Sequence, residues 1–160
     1  MRILELKKQH YENVKTLLVE LQNYIVKIDK YKLNIVNKDY KEKYFEYMLN
    51  DCKNFNGKVF VAYENNQVVG MIAGFVMPYN ERDYLDYKCP KKAVISELIV
   101  SKSLRCGGVG TKLLNKMENY LKTIGCTYCE LDVFAYNKTA INFYFKNGYD
   151  NRMITMFKKL

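Results

Sequence analysis

The chain has 160 residues, 49% of them hydrophobic and 27% charged, and 26 Lys and Arg against 17 Asp and Glu give it a net charge of +9. That size suits one domain spanning residues 1–160 with a core that needs no covalent staples, and no internal repeat, low-complexity tract or linker divides it. The opening MRILELKKQHYENV is charged within seven residues and no apolar run nears the roughly 18 residues of a membrane span, so a soluble, cytoplasmic protein without a membrane partner is expected.

In chain order, Arg2 to Leu6 reads as a short strand and Gln9 to Ile28 as a helix. Its apolar face runs Tyr11, Val14, Leu17, Leu18, Leu21, Ile25 and Ile28, at spacings of three and four. His10, the only histidine, is expected on the surface at the start of this helix, which disfavours mechanisms that require histidine. Asp39 followed by Glu42 suggests a capping box, starting a second helix that reaches about Cys52. Its aromatics Tyr40, Tyr44, Phe45 and Tyr47 read as core, or alternatively as the wall of a substrate pocket.

Lys58 to Tyr63 and Gln67 to Met77 are β-branched runs joined at Asn65 and Asn66, residues that tolerate the positive φ of a tight turn, so they predict a β-hairpin. Pro78 ends it. Tyr79 to Lys92 is a polar loop in which Glu81, Asp83 and Asp86 alternate with Tyr84 and Tyr87, either solvated or suited to hold a cationic amine. Ala93 to Val100, AVISELIV, is apolar apart from Ser96 and Glu97 and shows no alternation, the pattern of a strand buried on both faces.

A turn with Gly107, Gly108 and Gly110 follows this strand, and then a helix with the stripe Leu113, Leu114, Met117, Tyr120 and Leu121. Glycines here let several N–H groups converge, and the helix N-terminus adds unpaired N–H groups and a positive dipole end, so an anion such as phosphate fits; a plain tight turn is the alternative. The spacing meets neither G-x-x-x-x-G-K-[ST] nor G-x-G-x-x-G.

Beyond Gly125, which suits a helix C-terminus, Thr127 to Phe134 reads as a strand. Asn137 suits the N-cap of a short helix ended by Gly148, and Met153 to Phe157 reads as a last strand. Cys126 and Cys129 form a C-x-x-C without a second pair, so buried thiols are expected rather than a metal site. The order of elements mixes a hairpin with crossover helices, giving an α/β fold with a mixed sheet and helices on both faces.

Arg105-x-x-Gly108-x-Gly110 after a buried strand resembles the acyl-coenzyme A loop of the GNAT N-acetyltransferase superfamily. Tyr136 to Tyr149, YNKTAINFYFKNGY, is similar to that family's second signature. The resemblance is specific over residues 93–149 and merely consistent before them. It implies a GNAT-like, mostly antiparallel twisted sheet of about six to seven strands flanked by about four helices.

It further implies acetyl-coenzyme A as acyl donor, with backbone groups of Leu98, Ile99 and Val100 on the pantetheine arm where two strands splay. Arg105, Cys106, Gly107, Gly108, Val109, Gly110 and Thr111 would cradle the pyrophosphate, and Asn137 would touch the cofactor. Tyr144 matches the family's general acid, or else simply packs or hydrogen-bonds the cofactor sulfur. Glu97, a carboxylate in an apolar strand, suits a base for the incoming ammonium, as in some members, or a structural pair with a lysine or arginine. Where relatives often read Arg-Gly-Lys-Gly, this chain has Cys106 and Gly107, which implies weaker cofactor affinity.

The leading expectation is therefore an N-acetyltransferase acting on a primary amine of a small molecule or peptide, and the family's habits add a homodimer. The alternative is a non-catalytic acyl-coenzyme A sensor or a basic RNA-binding module, with acetylation of aminoacyl-tRNA as the hybrid. The positive charge suits either anionic partner, but no aromatic RNA motif accompanies it.

Overall fold

In the computed structural model, which describes residues 1–160, five strands stand in one sheet in chain order: β1 (Arg2–Glu5), β2 (Lys58–Glu64), β3 (Gln67–Val76), β4 (Lys92–Val100) and β5 (Tyr128–Glu130). The first four pair antiparallel and β5 joins β4 in parallel. The β2–β3 hairpin turns through Asn65 and Asn66 at φ 48° and 61°, the torsions a two-residue turn needs to match the twist of its strands.

Helices α1 (Tyr11–Ile28) and α2 (Tyr40–Asn54) cover one face. Val14, Leu17, Leu18, Phe45 and Met48 pack there on Val61, Met71, Ala73 and Ile99. On the other face α4 (Val109–Thr123) sets Leu113, Leu114, Met117 and Leu121 against Phe60, Ala62, Ile72 and Ile95. The helical stripes read from the sequence are thus the buried ones, and helices lie on both faces as expected. The remaining helices are the four-residue α3 (Asp83–Asp86) in the acidic loop and α5 (Lys138–Lys146) near the C-terminus. No helix is long and apolar enough to cross a membrane.

Several expectations need correction. The sheet has five strands, not six or seven: β5 stops at Glu130, and Met153–Phe157 forms no strand. Apolar, β-branched side chains make a strand only where another backbone satisfies their N–H and C=O groups. Here the segment is held by Tyr31, whose hydroxyl donates to the Phe157 carbonyl at 2.9 Å and whose ring packs on Phe157. Five α-helices, rather than four, flank the sheet because the loop after Pro78 winds into α3.

β4 alternates buried with partly exposed residues instead of being sealed on both sides. The capping box at Asp39 does not form, because Asp39 pairs with Lys43 and Glu42 with Lys15. His10 is buried, not solvated: its Nδ1 accepts from the Lys7 N–H at 3.2 Å and its ring lies 5.5 Å from that of Tyr63. Burial and the nearby Lys7 charge lower its pKa, so it serves the fold as a neutral ring.

Candidate active site

The site begins with a fault in the sheet. Ala73 stands opposite Glu97 but the next residue, Gly74, stands opposite Ile95, so Ser96 is an extra residue in β4. A bulge of this kind reverses the phase of the strand. Before it Ala93 and Ile95 point into the core under α4; after it Ile99 points into the core under α1 and α2. Glu97 is therefore turned toward α2, where it is 7% exposed.

There the Tyr44 hydroxyl donates to Glu97 Oε1. Tyr40, one turn earlier on α2, stacks on the Tyr44 ring at 4.6 Å and 15°. Burial pushes the Glu97 carboxyl up to about 7, against the opposing pull of the Tyr44 hydrogen bond. The same burial, with the charge of Glu97, raises both phenols. Of the two partners considered from sequence, neither lysine nor arginine pairs with Glu97; its partner is Tyr44. Tyr40 and Tyr44 were legible only as an aromatic helix face, and both line this carboxylate while Phe45 and Met48 fill the core.

Next to Glu97 the sheet splits. β4 and β5 pair only from Lys92–Tyr128 to Val94–Glu130. Past that point no strand lies beside the outer edge of Leu98, Ile99 and Val100, which are held to β3 on the inner side. The open edge runs directly into the glycine turn. Arg105 to Gly108 form a hydrogen-bonded turn, and the first bond into α4 is Lys112 N–H to the Gly108 carbonyl at 3.1 Å, so the N–H groups of Val109, Gly110 and Thr111 have no partner within the helix.

N–H groups that open a helix after a glycine turn are the kind of donors an anion nest is built from. Gly108 adopts φ 76°, and a Cβ there would meet nothing within 4 Å, so the space over the nest is open. Cys106 also takes a positive φ, 65°, and is exposed. Gly110 serves packing: a Cβ there would lie 3.3 Å from the Phe143 ring of α5.

Arg105 Nε donates to the Val100 carbonyl at 3.0 Å, its Nη2 lies 3.8 Å from Glu20 Oε1, and its guanidinium sits 5.9 Å from the Tyr24 ring. It thus ties the end of β4 to α1. A cavity of about 460 Å³ adjoins the turn, lined by Ser103, Arg105, Gly107 and Lys112 together with Glu64 and the apolar Met1, Leu104 and Val109.

α5 closes the opposite side. Asn137 is its N-cap: Oδ1 accepts from the Ala140 N–H at 3.2 Å and from the Tyr24 hydroxyl at 3.3 Å. Tyr144 lies between Phe143 and Tyr149, with ring centres 5.2 and 5.6 Å away. Burial and then the charge of Glu97 push its phenol up to about 12, with no hydrogen bond among the causes. Glu97 and Tyr144, expected to share a site, are close enough to feel each other's charge.

The Tyr79 to Lys92 loop turns its aromatics inward onto the chain's own cation, for Lys92 Nζ lies 5.7 and 5.8 Å from the rings of Tyr79 and Tyr87 and pairs with Glu130 at 2.8 Å. Cys126 and Cys129 are half-buried free thiols, and no cluster of metal-ligand residues occurs in the chain.

Comparison with known proteins gives the class of this fold and then its family. Residues 22–149 match the model of the Acetyltransferase (GNAT) family, and the chain belongs to that family. It is 41% identical over 96 residues to an uncharacterized N-acetyltransferase of Methanocaldococcus jannaschii, MJ1530, covering 59% of this chain and 54% of that one. A second uncharacterized N-acetyltransferase of that organism, MJ1207, is 30% identical over 123 residues, 72% of this chain and 50% of the other. The chain spans about half the length of the curated relatives it matches.

Among solved structures, a mutant of the BH1408 protein from Bacillus halodurans superimposes with a TM-score of 0.85 at 23% identity, covering 100% of this chain and 99% of that one. The aminoglycoside N-acetyltransferase AAC(6')-Iy in complex with CoA gives 0.69 at 16% identity, covering 99% and 100%. At these identities the two structures share the fold.

Proposed function

We propose that the chain is an acetyl-coenzyme A dependent N-acetyltransferase that acetylates a primary amine of a small molecule or peptide by direct transfer. The observation that carries this reading is the strand-free edge of Leu98 to Val100, where the Val100 carbonyl is held by Arg105 Nε, running into the N–H groups that open α4. An extended chain ending in a pyrophosphate suits that surface, since the edge offers it strand-like hydrogen bonds and the nest offers it N–H donors. Arg105 and Lys112 add positive charge at the nest. The chemistry of the donor set, backbone N–H and cations, suits a phosphate and not a metal.

Acetyl-coenzyme A, when bound, supplies an activated thioester carbon and a thiolate leaving group. Glu97, the buried carboxyl of the site, takes the proton that makes the incoming ammonium a nucleophile, and with its pKa at about 7 it does so near neutral pH. Tyr144 delivers a proton toward the leaving sulfur. A phenol at about 12 giving its proton to a thiolate whose conjugate acid lies near 8.5 is uphill by about 3.5 pH units, roughly 5 kcal/mol. The burial that raises the phenol also raises a thiol placed beside it, so the real gap is smaller and a transfer concerted with C–S cleavage meets it. Asn137 acts on the cofactor through its Nδ2 and its hold on α5, as Oδ1 is already engaged.

The test is thermal melting with acetyl-coenzyme A, with ATP and NAD as controls, followed by thiol release with a panel of amines: glucosamine, spermidine, lysine, tyramine and short peptides. At about 100 times its dissociation constant, acetyl-coenzyme A adds about 2.7 kcal/mol and raises the midpoint by about 5 to 10 °C. A shift with acetyl-coenzyme A alone, and thiol release with one amine class, are expected. No shift at millimolar concentration would remove the nest from the cofactor role.

A further inference from the structure

Glu97 has two oxygens in unlike settings. Oε1 accepts from Tyr44 on α2. Oε2 accepts from no group of the chain and yet is not sealed off, because no buried side-chain oxygen lacks a partner anywhere in the molecule. One oxygen is pinned, and the other makes no hydrogen bond within the chain and keeps a trace of solvent exposure. The titratable groups facing this carboxylate are Tyr44 and Tyr40 from α2 and Tyr144 from α5, all phenols, with no cation paired to it.

We propose that Tyr44 is a positioning residue of the transfer: donating to Glu97 Oε1, with its ring stacked on Tyr40, it fixes the carboxylate in one orientation and presents Oε2 to the incoming amine. The proposal rests on Glu97 being the base. The step balances simply. An N–H bond of the ammonium breaks, its electron pair stays on nitrogen, and the proton goes to Oε2, while Oε1 keeps the Tyr44 hydrogen bond throughout. A phenol suits this role because it donates to the anion without delivering its own proton; burial and the charge of Glu97 raise the Tyr44 pKa far above that of the carboxyl it serves. Tyr40 fixes the Tyr44 ring, and the bulge at Ser96 brings Glu97 to it, so sheet and helix both contribute to the aim.

A hydrogen bond from Tyr44 favours the ionised form of Glu97, so removing the hydroxyl makes Glu97 a weaker acid. The experiment follows the Glu97 carboxyl band by difference infrared titration of the free protein between pH 5 and 9, in wild type, Tyr44→Phe and Glu97→Gln. It then measures the pH dependence of kcat/KM with the amine that gives the fastest thiol release. In Tyr44→Phe both the band and the rising limb of kcat/KM are expected to move up by about one pH unit, the scale of a hydrogen bond to a charged group. At pH 7 kcat falls about fivefold while the KM for acetyl-coenzyme A stays within about twofold.

In a Glu97→Gln background, Tyr44→Phe is expected to change kcat by less than about twofold, since Tyr44 acts only through Glu97. Replacing Tyr44 by 3-fluorotyrosine, which keeps ring and hydroxyl and makes a stronger donor, moves the limb the other way and covers the case in which Tyr44→Phe folds poorly. A limb that vanishes in Glu97→Gln but stays in place in both Tyr44 variants overturns this proposal and leaves Glu97 as base. A limb near pH 7 that persists in Glu97→Gln overturns the base assignment, and this proposal with it.

Discussion

Above pH 7 Glu97 is a buried carboxylate, and its titration works against the fold. Its pKa rises from 4.5 in the unfolded chain to about 7 in the native protein. Between those values the native state holds a proton that the unfolded chain has lost. The stabilising contribution is therefore complete below pH 4.5 and is lost as pH rises through about 7, by up to about 3 kcal/mol for a group this buried. Glu97→Gln removes the loss while keeping an acceptor for Tyr44. Its melting temperature relative to wild type is expected to rise by several degrees between pH 5 and pH 8; an equal difference at both pH values would show that Glu97 does not titrate in that window.

At Tyr144 the expectation is kinetic. Tyr144→Phe keeps the ring between Phe143 and Tyr149 and is expected to lower kcat at least tenfold while the acetyl-coenzyme A dissociation constant stays within about twofold. Full activity in the variant would restrict Tyr144 to packing.

The unit that matters among the elements is the bend from β4 through the glycine turn into α4. Gly108 sits at φ 76° with open space around it, so Gly108→Ala meets no clash and is strained through its torsions alone, by about 1 to 2 kcal/mol. Cofactor affinity is expected to fall with it, as the strain is relieved by moving the N–H groups of the nest; unchanged affinity in titration calorimetry would place the anion elsewhere. Asn137→Ala deletes the N-cap bond to Ala140 and the Tyr24 contact. A loss of about 1 kcal/mol, a melting decrease of about 2 to 4 °C, is expected.

For the whole molecule, the net charge of +9 acts at long range on an anionic substrate. Raising the ionic strength from about 0.05 to 0.5 M shortens the screening length to a few ångströms, and kcat/KM for acetyl-coenzyme A is expected to fall several-fold while kcat at saturation holds. A salt-independent kcat/KM would mean that the scattered lysines do not steer the cofactor.

Much of the fold was legible because local rules decide it. The stripes of α1 and α4, the Asn65–Asn66 turn and the Asn137 cap rest on spacing and turn chemistry within a few residues of sequence. The glycine turn and the family resemblance were legible for the same reason, and Glu97 stood out by being charged among apolar neighbours. Tertiary structure decided what depends on a distant partner. The bulge at Ser96 exists only in the register of β4 against β3, and it alone turns Glu97 toward Tyr44, 53 residues away. His10 is buried because Tyr63 lies over it, and Met153–Phe157 is no strand because no backbone edge reaches it. A strand's neighbours, a bulge and a buried carboxylate's donor are properties of pairs, and pattern along one chain records only one member of each pair.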